Sequence, residues 1–214
     1  SNLNSNLNFL DILTCLGHGE KMLSMKKFLV VLIVIFSLQN LAKADDIRDL
    51  QIEGISIGDS LLSYMSKKKI DNADAFIYPA SKKYKEITIE MENEIYDQVI
   101  SSIKLDDNKY IIYSIMADID LRNNFEECLP KKKIIVDDIS SILDTDVEIQ
   151  NDKYKRTADK SGKSYDVSTT FFFNNGDNVR VICTYWSEEV SFTSRLTVAL
   201  NSNEFYQWLL NEAY

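Results

Sequence analysis

The chemistry open to this chain depends first on its scarce reactive side chains. The sequence holds one histidine, His18, and three cysteines, Cys15, Cys128 and Cys183. His18 and Cys15 precede Met25, where a segment typical of an export signal begins. The exported chain would therefore contain no histidine, which excludes histidine-based serine or cysteine triads and the usual zinc sites. We predict no catalytic residue, no metal site and no cofactor.

The two remaining cysteines, Cys128 and Cys183, predict a structural disulfide. An exported chain enters an oxidising compartment, where paired cysteines are normally bonded. The alternative is a redox-active pair, which usually has Cys-x-x-Cys spacing. These two cysteines lie far apart in the sequence, so the structural bond is the favoured interpretation.

Two short motifs are similar to reactive sites without completing them. The run GKS at 162–164 matches the end of a phosphate-binding loop. Thr157 stands where that motif needs glycine, and a solvated loop is the favoured interpretation. Ser66 and Lys69 have the spacing of a Ser-x-x-Lys nucleophile, but the partner motifs Ser-Asp-Asn and Lys-Thr-Gly are missing.

Acidic residues are abundant, and pairs of them suggest two further kinds of site. Three pairs offer oxygen ligands of the kind that calcium prefers: Asp71 with Asp74, Asp118 with Asp120, and Asp144 with Asp146. None completes the EF-hand spacing with its central glycine. Paired carboxyls also serve as acid and base in hydrolases that need no histidine, so this enzyme class stays open.

The frequent aromatic residues suggest a binding surface. In the predicted strand that carries Cys183, alternation places Arg180, Ile182, Thr184 and Trp186 on the opposite face. If no helix covers that face, Arg180, Thr184 and Trp186 form a candidate patch for a partner or ligand. Ordinary core and cross-strand packing of these side chains is the alternative.

The segment Met25–Ala44 is typical of a signal peptide. Lys26 and Lys27 supply a positive start, an apolar run follows, and small residues precede a cleavage site after Ala44. The apolar run is shorter than the about 20 residues that a membrane-spanning helix needs. We therefore predict export to the periplasm, with an uncleaved anchor as the alternative. Residues 1–24 are interpreted as a spurious N-terminal extension.

Residues 45–214 are predicted to form a single acidic domain. Of the 24 basic and 33 acidic residues in the chain, four basic and two acidic ones precede residue 45, which leaves a net charge of −11. Such a charge repels nucleic acid and anionic lipid and favours cationic partners. We predict a periplasmic protein or a small ligand as the partner, with neither nucleic acid nor, after signal cleavage, a membrane.

Periodicity predicts three helices and six main strands in this domain. The first helix, over 57–68, is expected to begin with the capping pair Ser56 and Asp59. The other helices are expected at 124–143, bent near Pro130, and at 203–212. The strands are expected at 84–91, 95–105, 110–119, 165–173, 178–187 and 195–201, with a hairpin turn at 174–177. A polar excursion over 145–164 is expected to hold one short strand at 147–150.

These elements predict an α+β fold with a six-stranded antiparallel sheet and helices packed on one face. The order is helix, three strands, helix, three strands, helix, which suggests a duplicated unit. Cys128 lies on the apolar stripe of the second helix, while Cys183 shares a strand face with Val179 and Val181. The disulfide is therefore expected to join helix to sheet.

Four stretches resemble an uncharacterised family of small exported proteins of marine alphaproteobacteria. They are Asp45–Lys69, DKSGKS at 159–164, VRVICTYWS at 179–187 and NEFYQWL at 203–209. The resemblance implies export and supplies no activity. The function expected from the sequence is a non-enzymatic binding or accessory module, and the alternative is a histidine-independent hydrolase that uses paired carboxylates.

Overall fold

The computed structural model describes residues 44–90, 95–122, 124–143 and 146–214. Eight antiparallel strands form one continuous sheet in the order β1, β2, β3, β4, β8, β7, β6, β5. The strands are β1 (Phe76–Ile77), β2 (Tyr84–Ile89), β3 (Gln98–Lys104), β4 (Ile112–Asp120), β5 (Glu148–Lys155), β6 (Tyr165–Phe172), β7 (Asn178–Tyr185) and β8 (Arg195–Asn201). The predicted extension 1–24 and all of the predicted signal peptide except Ala44 lie outside the described residues.

Two meanders of four strands meet at the centre of this sheet. Consecutive strands pair from β1 to β4 and again from β5 to β8, and β4 then pairs with β8. In that central pair, Ala117 lies opposite Val198. Read from either edge toward the centre, the strands follow the same order along the chain. The predicted repeat of one helix and three strands is wrong, because each half has four strands.

One face of the sheet, which we call the apolar face, carries the main core. Alternation turns Ile115, Val181 and Leu196 toward this face, and all three are almost fully buried. The helix α2 (Cys128–Ile142) packs there against β7 and β8. The N-terminal segment 44–71 completes the same core, and it contains a short helix, α1 (Lys67–Asp71).

A third helix covers one end of the opposite face. In α3 (Asn203–Asn211), Phe205 and Trp208 are buried against the ring of Tyr84, with centroid distances of 5.2 and 4.7 Å. The Ser202 hydroxyl caps the helix by accepting a hydrogen bond from the Phe205 amide. Among the described residues, no helix is long and apolar enough to cross a membrane.

The predicted six-stranded α+β arrangement with helices on one face is wrong. The sheet has eight strands and dominates the structure, and α2 and α3 lie on opposite faces of it. The main error is β5, which was expected as a short strand inside a polar excursion. Because β5 is an edge strand whose eight side chains are all exposed, its sequence carries no alternation of buried and exposed residues.

The predicted first helix over 57–68 is also wrong. Gly58 has a φ of +90°, which interrupts any helix, and its amide donates to the Ile112 carbonyl. The Ile112 amide in turn donates to Asp59, so this segment pairs with the start of β4. Of the expected capping pair, only the bond from the Ser56 amide to Asp59 forms.

The second helix and its disulfide are confirmed. A short 3-10 turn, Phe125–Glu127, leads into α2, where Pro130 is the third residue. Proline is tolerated there because amides of the first helical turn have no partner within the helix. Cys128 and Cys183 are bonded, which joins the start of α2 to the middle of the sheet.

Candidate functional site

The sheet face opposite α2 carries an unusual set of buried polar side chains. We call it the polar face, and we define it by the residues that alternate with the apolar ones on β2, β4, β6, β7 and β8. It also includes Tyr154 of β5 and the residues that follow β5 and β7, Arg156 and Trp186. Its central buried members are Asp118, Asp166, Ser168, Thr170, Thr184 and Thr197. Helix α3 covers the end of this face that contains Asn178 and Asn201, and α2 packs against the other face of the sheet.

Small side chains form the centre of the polar face, and Arg156, Arg180 and Arg195 lie at its edges. Across the strands, Ser168 lies opposite Ile182, and Ile182 lies opposite Thr197. In the next row, Asp166 lies opposite Thr184, which lies opposite Arg195. This arrangement gives a shallow polar surface in the middle of the sheet.

Two ion pairs fix the charged groups of this surface. Arg156 donates to Asp166 at 2.9 Å, and Asp166 is buried. Arg195 lies 3.2 Å from Asp118, which also accepts a hydrogen bond from the Thr197 hydroxyl. Each buried carboxylate therefore has its own arginine, as buried charges require.

The structure places all three residues of the predicted patch on the polar face. Thr184 belongs to its centre, and Arg180 is half-exposed beside Tyr154, whose hydroxyl accepts from Arg180 at 3.3 Å. Trp186 is only 7% exposed, because the Arg156 guanidinium lies 4.7 Å from its ring and Phe192 stacks at 4.6 Å. The indole of Trp186 therefore packs beneath Arg156 and Phe192. The exposed aromatic ring at this position is Phe192, which is 60% exposed.

Three buried polar atoms of the polar face have neither a hydrogen-bond partner nor an ion-pair partner among the described residues. They are Oδ1 of Asp166, Oγ of Ser168 and Nε of Arg180. A fourth atom, Oδ2 of Asp118, has no hydrogen bond but lies 3.2 Å from the Arg195 guanidinium. A buried polar group left unpaired costs about 1 to 3 kcal/mol, so folded proteins seldom leave several of them together. The unpartnered set contains one acceptor, one donor and one hydroxyl that is both, which makes it complementary to a polar ligand.

Burial also changes the titration of acids on this face. Burial raises the pKa of Asp118, while the positive charge of Arg195 and the Thr197 hydroxyl work against that rise. Burial likewise raises the pKa of Glu86, which accepts a hydrogen bond from the Tyr78 hydroxyl. These two carboxyls hold their protons more tightly than exposed acids do.

Comparisons with protein-family models, curated proteins and solved structures found no match to this chain. The proposed function therefore rests on the geometry of the polar face.

The loop that contains GKS at 162–164 is organised by a carboxylate. Asp159 is buried and accepts hydrogen bonds from the Ser161 and Ser164 amides and from the Ser187 hydroxyl, at 2.8 to 3.0 Å. These bonds, led by those from serines 164 and 161, lower the pKa of Asp159. Because Asp159 occupies the amides that a phosphate would need, the structure favours the interpretation as an ordinary loop.

The remaining motifs have structural partners. The Ser66 hydroxyl caps α1 by accepting from the Lys69 amide, and the Lys69 ammonium pairs with Glu90 at 3.1 Å. Asp120 pairs with Arg122. In the described part of the chain, no group of three or more histidine, cysteine or acidic residues is placed to hold a metal ion. Asp144, from one predicted calcium pair, lies outside that part.

Sequence reasoning missed three residues of the polar face: Tyr154, Arg156 and Asp166. Two of them belong to β5 or the residue after it, and that region was expected to be an irregular excursion. A signal was present on β6, where Asp166, Ser168 and Thr170 alternate with larger residues. That alternation identifies a polar strand face, although it does not show which arginine will pair with which carboxylate.

Proposed function

We propose that this protein is an exported, non-enzymatic binding module that holds a small polar ligand on its polar face. The observation that carries the proposal is the group of three unpartnered buried atoms on Asp166, Ser168 and Arg180. A ligand that supplies both donors and acceptors removes the free-energy cost of these atoms when it binds. The geometry favours binding over catalysis, since the two central carboxylates are each neutralised by an arginine.

The proposal is tested by screening amino acids, monosaccharides and dicarboxylates against the purified protein by thermal shift and NMR. A ligand of the polar face is expected to raise the melting temperature and to shift the amide signals of β6 and β7. Ser168→Val and Arg180→Met should weaken its binding, whereas Arg122→Met, which changes an exposed arginine away from this face, should not. Binding that is unchanged in both site variants would place the ligand elsewhere and refute the proposal.

A histidine-independent hydrolase is the second candidate, and Glu86 is the observation that favours it. Burial raises the pKa of this carboxyl, although the hydrogen bond from Tyr78 and the charge of Arg195 lower it; a raised carboxyl pKa is typical of a general acid. If the protein is a hydrolase, Glu86→Gln should abolish turnover of fluorogenic glycoside or ester substrates. If it is a binding module, no turnover will be detected in the parent protein.

Glu86→Gln also has an expected effect on stability that does not depend on either function. The folded-state pKa of Glu86 lies above its unfolded value, so its protonated form stabilises the fold at low pH. That contribution is lost as the pH rises through the folded-state pKa. The permanently neutral glutamine should therefore match the parent near pH 4 and be more stable than it near pH 8, as measured by urea unfolding. Equal stabilities at both values would contradict this expectation.

A further inference from the structure

A second concave surface lies where β3 turns into β4, next to the start of α3. This groove has a volume of about 580 Å³. Four lysines and one aromatic ring lie along it: Lys82, Lys83, Lys104, Lys109 and Tyr113. We call it the lysine groove. Its composition is unexpected in a chain whose net charge is −9.

The carboxylates near the lysine groove do not balance its four ammonium groups. A single residue of α3, Glu204, pairs with both Lys83 and Lys104, at 3.1 and 3.0 Å. Among the described residues, Lys82 and Lys109 form no ion pair. When the rim acids Asp106 and Asp107 are counted with Glu204, the four lysines leave the groove with one net positive charge.

Asp107 is already engaged by the backbone of the turn. Its carboxylate accepts hydrogen bonds from the Lys109 amide at 2.8 Å and from the Ile111 amide at 3.0 Å. These two bonds lower the pKa of Asp107, so the carboxylate stays ionised and shapes the turn. Its oxygens bond to amides and form no ion pair with Lys109, although the Asp107 charge attracts the Lys109 and Lys104 ammonium groups at longer range.

Tyr113 gives the groove a fixed wall. The Lys104 ammonium lies 4.4 Å from the centroid of this ring, a cation–π contact that holds the lysine in place. The Tyr113 ring also packs against Tyr84 at 5.4 Å. One ammonium of the groove is therefore positioned before any ligand arrives.

We propose that the lysine groove binds a small, multiply charged oxyanion of the phosphate type. A singly charged carboxylate gains little there, because Glu204 already offers one to two of the lysines. A dianion brings more charge than Glu204 does and reaches the two unpaired lysines as well. Lysine ammonium groups suit this role, because they act as mobile point charges toward phosphate oxygens.

The test is an NMR titration of the purified protein at low ionic strength with inorganic phosphate, pyrophosphate, glycerol phosphate and acetate. We expect the amides of residues 104–113 to shift with inorganic phosphate and with pyrophosphate, and not with acetate. Lys104→Gln or Lys109→Gln should weaken binding about three- to fivefold each, the value of one exposed charge contact. Glu204→Gln should strengthen binding by a similar factor, because it releases Lys83 and Lys104 from their carboxylate.

Lys133→Gln is the matched control, since Lys133 is an exposed lysine on α2 that pairs with Asp137. Equal loss of affinity in this control, or binding of acetate as tight as that of pyrophosphate, would overturn the proposal in favour of unspecific charge attraction. Absence of any shift with pyrophosphate would also overturn it. A response to glycerol phosphate but not to inorganic phosphate would identify an ester as the ligand. None of these results depends on the polar face.

Discussion

Lys132 is a charged residue buried between α2 and the sheet. Its ammonium donates to the Thr169 hydroxyl, which donates to the Asn151 side chain at 2.6 Å. Among the described residues it has no acidic partner, whereas Lys133 pairs with Asp137 on the outer surface. Burial lowers the pKa of Lys132, so its positive charge destabilises the fold.

We predict that Lys132→Met stabilises the protein by roughly 1 kcal/mol near neutral pH. In the parent, the unfolded chain binds the proton more tightly than the folded one, so stability should rise with pH from the folded-state pKa up to about 10.4, the unfolded value. The methionine variant should show a flatter profile in urea unfolding across that range. Lys133→Met is the control and should keep the parental slope; an unchanged slope in Lys132→Met would show that the ammonium is solvated.

For Arg180, Thr184 and Trp186, the sequence predicted the strand face but not the burial of each side chain. Alternation alone placed Arg180, Thr184 and Trp186 on one face, because the period of a strand is two. Burial of Trp186 under Arg156 could not be foreseen, since the two residues meet only through the pairing of separate strands. Contacts between distant strands depend on register, and the sequence offers no direct signal for it.

At the scale of elements, the turn between β6 and β7 is sensitive to substitution of one residue, Gly176. Gly176 has a φ of +85°, and a Cβ there would lie 2.6 Å from the Asn203 side chain, at the first residue of α3. The turn was predicted from the run 174–177 and is confirmed by the bond from the Gly176 amide to the Phe173 carbonyl. Because Gly176 lies against the Asn203 side chain, the conformation of this turn also affects the position of α3.

We predict that Gly176→Ala destabilises the protein by roughly 1 to 2 kcal/mol, through both backbone strain and displacement of Asn203. Gly54→Ala separates the two causes, because Gly54 has a φ of +76° with no atom within 4 Å of the added Cβ. Denaturant unfolding should show a smaller loss for Gly54→Ala. Equal losses in the two variants would mean that Asn203 yields freely and that only the backbone matters.

The disulfide links α2 covalently to β7. Cys128 and Cys183 enclose a separation of 55 residues. The chain-entropy relation gives roughly 4 kcal/mol for a loop of that length. We predict that the double variant Cys128→Ala, Cys183→Ala loses about this amount in urea unfolding, and that the reduced parent behaves like it. A loss far below this value would indicate that the unfolded chain is already compact between the two positions.

Elements with alternating apolar residues were predictable, and those without were not. The strand expected at 195–201 is confirmed as β8, which is buried on both faces and flanked by clear turn residues. By contrast, β5 is exposed throughout and β1 has two residues, so neither shows a periodic signal. The first helix failed for another reason: pairing of Gly58 and Asp59 with β4 overrode a local capping pattern. Tertiary hydrogen bonds can therefore override the helix propensity of a short segment.

At the scale of the whole molecule, the predicted export signal ends where the described structure begins. The Ala44 amide donates to the Ile142 carbonyl at the end of α2, and Ile47 is fully buried in the core. Cleavage after Ala44 would remove that one bond and keep Ile47. The new ammonium at Asp45 would then lie close to the carboxyl end of α2, where a helix dipole favours positive charge.

We predict that the protein recovered from the periplasm of an expressing bacterium begins at Asp45, as read by intact mass and N-terminal sequencing. Its stability should lie within about 1 kcal/mol of a chain that begins at Ala44, because only one hydrogen bond differs. A first residue beyond Ile47 would contradict this prediction, since it would remove part of the core. Retention in the membrane fraction at full mass would favour the uncleaved anchor.

The meeting of two meanders at β4 and β8 has a consequence for the order in which the chain assembles. The Ser114 hydroxyl bonds to Asn201, 87 positions away, and among the paired strands the β4–β8 pair, the central seam of the sheet, closes the longest loop. Each meander is formed from neighbouring segments and has little loop entropy to overcome, whereas the seam must await both. We therefore expect the central pair of strands, β4 and β8, to be joined last. Oxidation of Cys128 and Cys183 shortens that search, and refolding should be markedly faster with the bond intact than without it.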